Sequence, residues 1–327
     1  MFRDVFLVVR RESGESAQSI TERQKNLIDE VLGMCSSDLG SVHTVYQCDP
    51  RREMVYSLCV FDHDIDESVE RAVKHEVLEG RFRGQVDVLF SESFPCFCPG
   101  TSYDGALVMD MDMTTVQIEG IDEIARCLNV FDQVAAITSE AMHGKLDFAQ
   151  SLTRRVALLK GGDAESVLEK VRGIMVETDG LNELLTFCNV LKNADHGGRF
   201  KTCIASGGFH DLIDVIVQRY GIDAVRANRL ETDDNGLFTG RVSGPIIDAQ
   251  AKADLVVELR ESGTAQQNII VLGDGANDLK MMAQGGLGIA YHAKPKVQQE
   301  ARNCLNIGTL AAVRALLQLK ADLNTPA

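Results

Sequence analysis

No apolar run in this chain approaches the roughly 20 residues that a membrane-spanning helix needs, so a membrane partner is not expected. The opening run VFLVVRR is strand-like, and it is too short and wrongly ordered for a secretory leader. Cysteine is present without a disulfide pattern: the nine residues are odd in number and scattered, which suits reduced thiols in a cytoplasmic protein. Cys96 and Cys98 stand closest together, but no second pair at zinc-site spacing accompanies them. Positive charge is in deficit, with 33 Lys and Arg against 48 Asp and Glu and a formal charge of −15. Such a surface repels phosphate backbones and argues against nucleic acid as a partner. It leaves small phosphorylated substrates open, because these need only a local cluster of donors and cations. Low-complexity tracts and internal repeats are absent as well. What the chain does have is 327 residues, 45% of them hydrophobic, enough for about two domains with full cores; this excludes a disordered or fibrous protein.

The first unit, residues 1–92, alternates strand and helix patterns. Residues 4–10 read as a strand. Ser19 and Glu22 have capping-box spacing ahead of a helix with Ile20, Leu27, Ile28 and Val31 on one face. Strands follow at Val42–Cys48 and Met54–Phe61, then a helix carrying Val69, Val73 and Val77, then a strand at Val86–Phe90. The order βαββαβ is that of ferredoxin-like α+β domains. It also resembles ACT-type domains, which implies an amino-acid ligand or pairing of subunits into a homodimer; the alternative is a packing module without a ligand. The two prolines and small polar residues before Gly105 mark 93–104 as a linker.

From Ala106 short apolar runs each stop at a polar residue: ALVM at Asp110, TCIA at Ser206, IIVLG at Asp274. Helical patterns separate them, so they read as buried parallel strands of a doubly wound α/β sheet. Ligands of such sheets bind beyond the carboxyl ends of the strands, where these three residues meet. Asp110 and Asp112 flank one residue; Ser206 heads an SGGF turn whose glycines admit a close ligand; Lys252 lies near a helix start; Asp274 and Asp278 belong to GDGAND. Crowded carboxylates call for a hard cation, and Mg2+ takes oxygen ligands that it shares with phosphate. A lone DxD or GDGAND reads as a solvated turn. The ordered set, each member at a strand end or helix start, reads as a site. Phe148 and Arg155, seven residues apart on a helical run, share a face. Taken alone, Phe148 is equally a core residue and Arg155 a surface base.

These strings, VMDMDMTTVQIEGIDEIA, GKLDFAQSLTRRVALLK, ASGGF, AKAD and VLGDGANDLKMM with AYHAKPKV, resemble the haloacid dehalogenase superfamily and its phosphoserine phosphatase family, from about Gly105 to Leu319. The resemblance implies an HAD-like phosphatase domain over 105–327 with a helical cap inserted at about 117–199, and Mg2+-dependent hydrolysis of phosphoserine to serine and phosphate, the last step of serine biosynthesis. It implies Asp110 as the nucleophile that forms an aspartyl-phosphate and Asp112 as the general acid and base. The metal would be held by Asp110, the Asp112 backbone carbonyl and Asp274, with Asp278 orienting them from outside. Ser206, Gly207 and Lys252 would bind the phosphoryl oxygens, and Asn277 would contact substrate. Phe148 would line the substrate site, Arg155 would clamp the substrate carboxylate, and Glu119 would take its ammonium. Met113 departs from the family, standing where serine is usual and removing a hydroxyl beside the nucleophile. The insertion DHGGR lengthens a loop, and Asn235–Gly236 predicts a tight hairpin. The histidines, among them His43, His143 and His292, show no metal-ligand spacing; Cys203, Met281 and Met282 read as core. Two other readings stay open: a phosphatase or phosphotransferase for another small phosphomonoester, and a regulatory amino-acid-binding protein with a decayed site.

Overall fold

The computed structural model describes residues 2–10, 20–36, 42–97, 104–193 and 199–324. Its first unit runs β1 (Phe2–Arg10), α1 (Glu22–Cys35), β2 (His43–Asp49), β3 (Met54–Ile65), α2 (Glu67–Leu78) and β4 (Val86–Ser91), the expected βαββαβ order. The strands pair antiparallel in the order β2-β3-β1-β4. Alternation along β1 decides which side each residue buries. Val5, Leu7 and Val9 meet Ile28, Val31, Val73 and Val77 of the two helices. Phe6 and Val8 face the other way, with Tyr56 and Leu58, into a second core. Helix α1 begins later than the sequence pattern predicts: the capping box is Thr21 with Gln24, whose side chain accepts the Thr21 N–H at 2.9 Å. Ser19 lies outside the described residues.

The second unit continues with β5 (Asp104–Met109), α3 (Gly120–Cys127), α4 (Phe131–Met142), α5 (Phe148–Ala157), α6 (Ala164–Ile174), α7 (Leu181–Lys192), β6 (Arg199–Phe209), α8 (His210–Tyr220), β7 (Ala224–Asn228), β8 (Leu230–Thr232), β9 (Phe238–Val242), α9 (Ala249–Glu261), β10 (Ile269–Gly273), α10 (Leu279–Met282), β11 (Leu287–Tyr291), α11 (Pro295–Glu300), β12 (Asn303–Leu305) and α12 (Leu310–Asn324). Six strands form a parallel sheet in the order β12-β11-β10-β5-β6-β7. The chain departs from central β5 toward both edges, so the crevice at its carboxyl end is the switch point where such sheets bind ligands. Asp110, Ser206 and Asp274 all fall at that end. The SGGF segment is not a turn: it remains extended within β6, and the pairing with β7 slips between Ala205 and Phe209 to form a bulge.

Helices α3 to α6 form a lobe with its own core of Ile121, Ile124, Val134, Leu152, Val156, Leu168 and Val171, closed by Phe238 of the β8–β9 hairpin. This lobe ends near Met175, short of the Arg199 boundary expected for the cap. The reason is α7, whose Leu181, Leu184, Leu185 and Cys188 recur at helical spacing and pack into the sheet core instead. The hairpin is also looser than Asn235–Gly236 predicts, with residues 233–237 in the loop. There the Asp233 carboxylate accepts the N–H groups of Asn235 and Leu237 at 2.9 and 3.0 Å, and Gly236 at φ +76° turns the chain back.

The two units share a core. Helix α12 covers the outer face of the antiparallel sheet, placing Ala312 and Leu316 in one cluster with Phe6, Tyr56 and Leu58. Buried Asp87 of β4 accepts the successive N–H groups of Asn306, Ile307 and Gly308 at 2.8, 2.7 and 3.0 Å on one carboxylate oxygen. Asn303 accepts the Phe90 N–H at 2.8 Å, and Lys320 pairs with Asp4. The described part of the expected linker is packed rather than loose: Phe94 and Phe97 are buried, and Phe97 meets Phe200 edge-on at 5.1 Å. The rest of that linker, with Cys98, and the Asp195–Gly198 part of the DHGGR insertion lie outside the described residues. Cys203, Met281 and Met282 are in the core, as expected. No helix among the described residues is long and apolar enough to cross a membrane.

Candidate active site

Each acid of the site is held by backbone that its own neighbours shape. The Asp110 N–H donates to the Leu272 carbonyl at 2.9 Å, which locks the end of β5 to β10. The Asp110 carbonyl accepts the Thr115 hydroxyl at 2.5 Å, folding 111–115 back under the strand end. Its side chain is fixed as well: Oδ1 accepts the Met111 N–H at 2.8 Å and Lys252 Nζ at 2.8 Å. Both donors bind the same oxygen, which leaves Oδ2 without a donor among the described residues. Lys252 reaches Asp110 from the first turn of α9, where Asp248 caps the helix, and it also donates to Asp278 at 2.7 Å.

Asp112 stands across the crevice. Its Oδ1 accepts the Gly120 N–H at the start of α3 at 2.7 Å. A Cβ placed on Gly208 would lie 2.5 Å from the other carboxylate oxygen, so the β6 bulge and the acid fit only because residue 208 has no side chain. Gly208→Ala is therefore expected to displace the Asp112 carboxylate and lower kcat about 10²-fold, the usual loss for a misplacement near 1 Å. Steady-state kinetics alongside a melting curve checks this; an unchanged kcat in a folded variant would show that Asp112 does not need its present position.

A cavity of about 370 Å3 opens between the strand ends and the lobe, with Asp110, Asp112, Glu119, Phe148, Arg155, Gly207, Asp274 and Asn277 in its wall. Phe148 and Arg155 do share the face that α5 turns to this cavity. Arg155 makes no ion pair among the described residues; its Nε donates to the Ser151 carbonyl at 3.4 Å. Ser206, Lys252 and Asp278 do not line the wall. All three are buried beneath it, where the Ser206 hydroxyl accepts the Gly208 N–H at 2.8 Å. The cavity wall also holds Gly208, one of the two glycines expected to admit a close ligand, and members that sequence reasoning missed, among them Ser151 and Lys294. Ser151 is buried with a hydroxyl that has no partner among the described residues. Its signal was present in its place between Phe148 and Arg155 on the same helix face.

The acids repel one another strongly. Burial, with Asp278 next to it, raises the Asp110 carboxyl well above its ordinary range against the pull of Lys252. Burial and Glu119 push Asp112 up to about 7, and burial and Asp278 push Asp274 up to about 6. Burial works to lower the Lys252 ammonium, but Asp110 and Asp278 outweigh it and keep the lysine charged. Carboxylate oxygens of Asp110, Asp274 and Asp278 lie within 4.8 Å of one another, a hard-oxygen donor set that fits a divalent cation. Lys252 and the Gly275 N–H (3.0 Å) already occupy the two oxygens of Asp278. The Asp112 side chain is turned away toward Gly120 and Gly208. Met113 takes a left-handed backbone at φ +56°, which costs a non-glycine residue about 1–2 kcal/mol, and its side chain borders a neighbouring cavity of about 660 Å3.

A parallel sheet with an aspartate at its central strand end, a second acid two residues on and a lysine-bridged carboxylate group is the arrangement of a class of phosphoryl-transfer hydrolases. A model of the haloacid dehalogenase-like hydrolase family matches residues 107–283, and the chain belongs to that family. Within it the likeness is to phosphoserine phosphatases: that of Haemophilus influenzae is 45% identical over 222 residues, 68% of this chain and 68% of that protein. A probable phosphoserine phosphatase from Vibrio cholerae, solved without ligand, is 30% identical with a TM-score of 0.72 over 98% of this chain and 88% of its own. A haloacid dehalogenase family hydrolase from Salmonella enterica serovar Typhi superposes over 96% of this chain and 98% of its own, with 29% identity and a TM-score of 0.77. The last two likenesses extend through the N-terminal unit.

Proposed function

We propose that this protein is a Mg2+-dependent phosphatase that hydrolyses O-phospho-L-serine to L-serine and phosphate through an aspartyl-phosphate at Asp110. The observation that carries the reading is the pairing of Asp110 and Asp112 in one cavity wall with Glu119 and Arg155. Asp110 Oδ2 attacks phosphorus while Lys252 and the Met111 N–H hold Oδ1. Asp112, a carboxyl that burial and Glu119 push up to about 7, delivers a proton from its protonated form to the leaving serine oxygen. The ionised Asp112 then takes a proton from the water that cleaves the aspartyl-phosphate. Mg2+ would be held by Asp110, Asp274 and the Asp112 carbonyl, with Asp278 orienting them from outside, and would supply charge neutralisation for the phosphate. The Gly207 N–H and the Asn277 amide, both in the cavity wall, meet the phosphoryl oxygens. Arg155, unpaired and half-buried, reads the substrate carboxylate; Glu119 reads the ammonium; Phe148 packs on the carbon between them.

The organisation into residues 1–92, 93–104 and 105–327 is part of this proposal and is supported by the βαββαβ sheet and the parallel sheet standing as separate elements. For the first unit, the cover that α12 provides supports a docking role over an open pairing face. Free thiols at all eight described cysteines support a reducing, cytoplasmic setting.

A substrate comparison with and without Mg2+ tests the function. Phosphoserine is expected to exceed phosphothreonine in kcat/KM by about tenfold or more, the usual worth of one extra methyl group in a fitted pocket. Phosphoethanolamine, which leaves Arg155 without a carboxylate, is expected to fall further. Chelator should abolish turnover and Mg2+ restore it. Equal kcat/KM across the three esters would reject the amino-acid reading and leave a general phosphomonoesterase.

A further inference from the structure

We propose that Arg52, in the turn between β2 and β3 of the N-terminal unit, is a positioning residue for the phosphatase site: it fixes the base of the second crossing between sheet and lobe and, through it, the backbone of Asp110. The inference rests on the reading of Asp110 as nucleophile.

The chain crosses between the sheet and the α3–α6 lobe at 111–119 and returns at 175–180. These crossings run side by side. The Gln117 N–H donates to the Val176 carbonyl at 2.8 Å and the Thr178 N–H to the Thr115 carbonyl at 3.0 Å, with an antiparallel bridge between Val116 and Glu177. The Gln117 side-chain amide also donates to the Thr178 hydroxyl at 2.6 Å. Thr115 then donates its own hydroxyl to the Asp110 carbonyl at 2.5 Å. Any swing of the lobe against the sheet is taken up in these two segments, because helices and sheet move as packed bodies.

Asp179 is where the return crossing meets the sheet layer, and two groups hold it. Its carbonyl accepts the Leu310 N–H at the start of α12 at 3.0 Å. Its carboxylate receives the fork of Arg52, Nε to Oδ2 at 2.9 Å and Nη2 to Oδ1 at 2.7 Å. Arg52 is in turn aimed by Asp49 at 2.9 Å and extends to Glu183 of α7 at 2.7 Å. The guanidinium is only 14% exposed, but the Asp179 side chain is 58% exposed, so the attraction itself stabilises little. What a bidentate fork supplies is position: it sets both the distance and the plane of the carboxylate, which an ammonium cannot do. One step along the chain from Asp179 lies Thr178, one hydrogen bond further Thr115, and one more the Asp110 carbonyl. A unit with none of the catalytic acids therefore holds the fixed end of the hinge.

The test compares full-length wild type, Arg52→Ala, Arg52→Lys and Asp87→Ala by amide hydrogen exchange, melting temperature, and kcat and KM for phosphoserine with Mg2+. Asp87 anchors the same two units through 306–308, away from the crossings, and controls for loosened docking. Arg52→Ala is expected to speed exchange in 115–119 and 175–180, to raise KM and to lower kcat, with kcat/KM down about fivefold or more, the scale of an ordinary coupling between sites. Arg52→Lys should recover melting temperature without recovering slow exchange. Asp87→Ala should lower melting temperature while leaving KM, kcat and the crossing amides near wild type. Unchanged exchange in both crossings of Arg52→Ala, or the same change in Asp87→Ala, would overturn the proposal. The exchange readout needs no substrate, so it decides the role of Arg52 even if wild type fails to hydrolyse phosphoserine, which would instead reject the function.

Discussion

Asp110→Asn is expected to lose turnover by about 10⁴-fold or more while the protein stays folded, because the change removes a nucleophile and almost nothing else. The amide has the shape of the carboxylate. Its oxygen can keep the Met111 N–H and Lys252 as donors, and its nitrogen then faces the cavity in place of Oδ2. An amide nitrogen does not attack phosphorus. Stability is expected to hold or rise. Burial and Asp278 raise the Asp110 carboxyl in the fold, so its ionised form at neutral pH opposes folding, and that opposition disappears in the neutral variant. Acid-quenched protein after brief exposure to radiolabelled phosphoserine should carry label in wild type and none in Asp110→Asn. Label retained by the variant, or turnover near wild type, would remove Asp110 from the reaction.

Asp110 and Asp274 could be read from the sequence because each ends an apolar run in a sheet whose topology brings strand ends together; depth could not. Ser206 and Lys252 occupy the expected strand end and helix start, yet both lie beneath the cavity wall, since the β6 bulge and the first turn of α9 turn them inward. A string of residues says where a strand stops, not how far its next side chain is from solvent. The need for glycine at 208 has the same origin: it arises from the approach of Asp112, 96 positions away along the chain, by a route only the fold creates. Lys294 follows AYHA with no periodicity to mark it, and Arg52 meets Asp179 across 127 positions. That α7 joins the sheet core and not the lobe was hidden for a different reason. The α7 pattern is amphipathic in the same way as its predecessors, and nothing local tells a helix which of two cores its apolar face joins.

Lys252→Met carries the second large expectation, and it separates the lysine's two tasks. The side chain is about as long and keeps the buried volume, so packing is preserved while the charge is lost. Asp110 and Asp278 then face each other in a buried space with no cation from the chain between them. Breaking a buried pair by removing one partner costs about 3–5 kcal/mol, because the remaining charge is uncompensated. In a unit of this size each kcal/mol lowers the melting temperature by about 2–4 °C, so metal-free Lys252→Met should melt roughly 10 °C below wild type. Two remedies follow from the same electrostatics. Lower pH protonates the raised carboxyls, and Mg2+ replaces the missing positive charge; either should close much of the gap. Catalysis should not recover with stability. Mg2+ can neutralise the acids, but Oδ1 of Asp110 would have lost one of its two donors, and kcat should stay down by about 10²–10³-fold, the usual loss when one preorganised donor is removed. Melting curves with and without Mg2+, paired with kcat at saturating Mg2+, separate the two effects. A variant as stable as wild type without metal would mean that the buried carboxylates are neutral in the resting enzyme, and Asp110 would then have to lose a proton before it could attack.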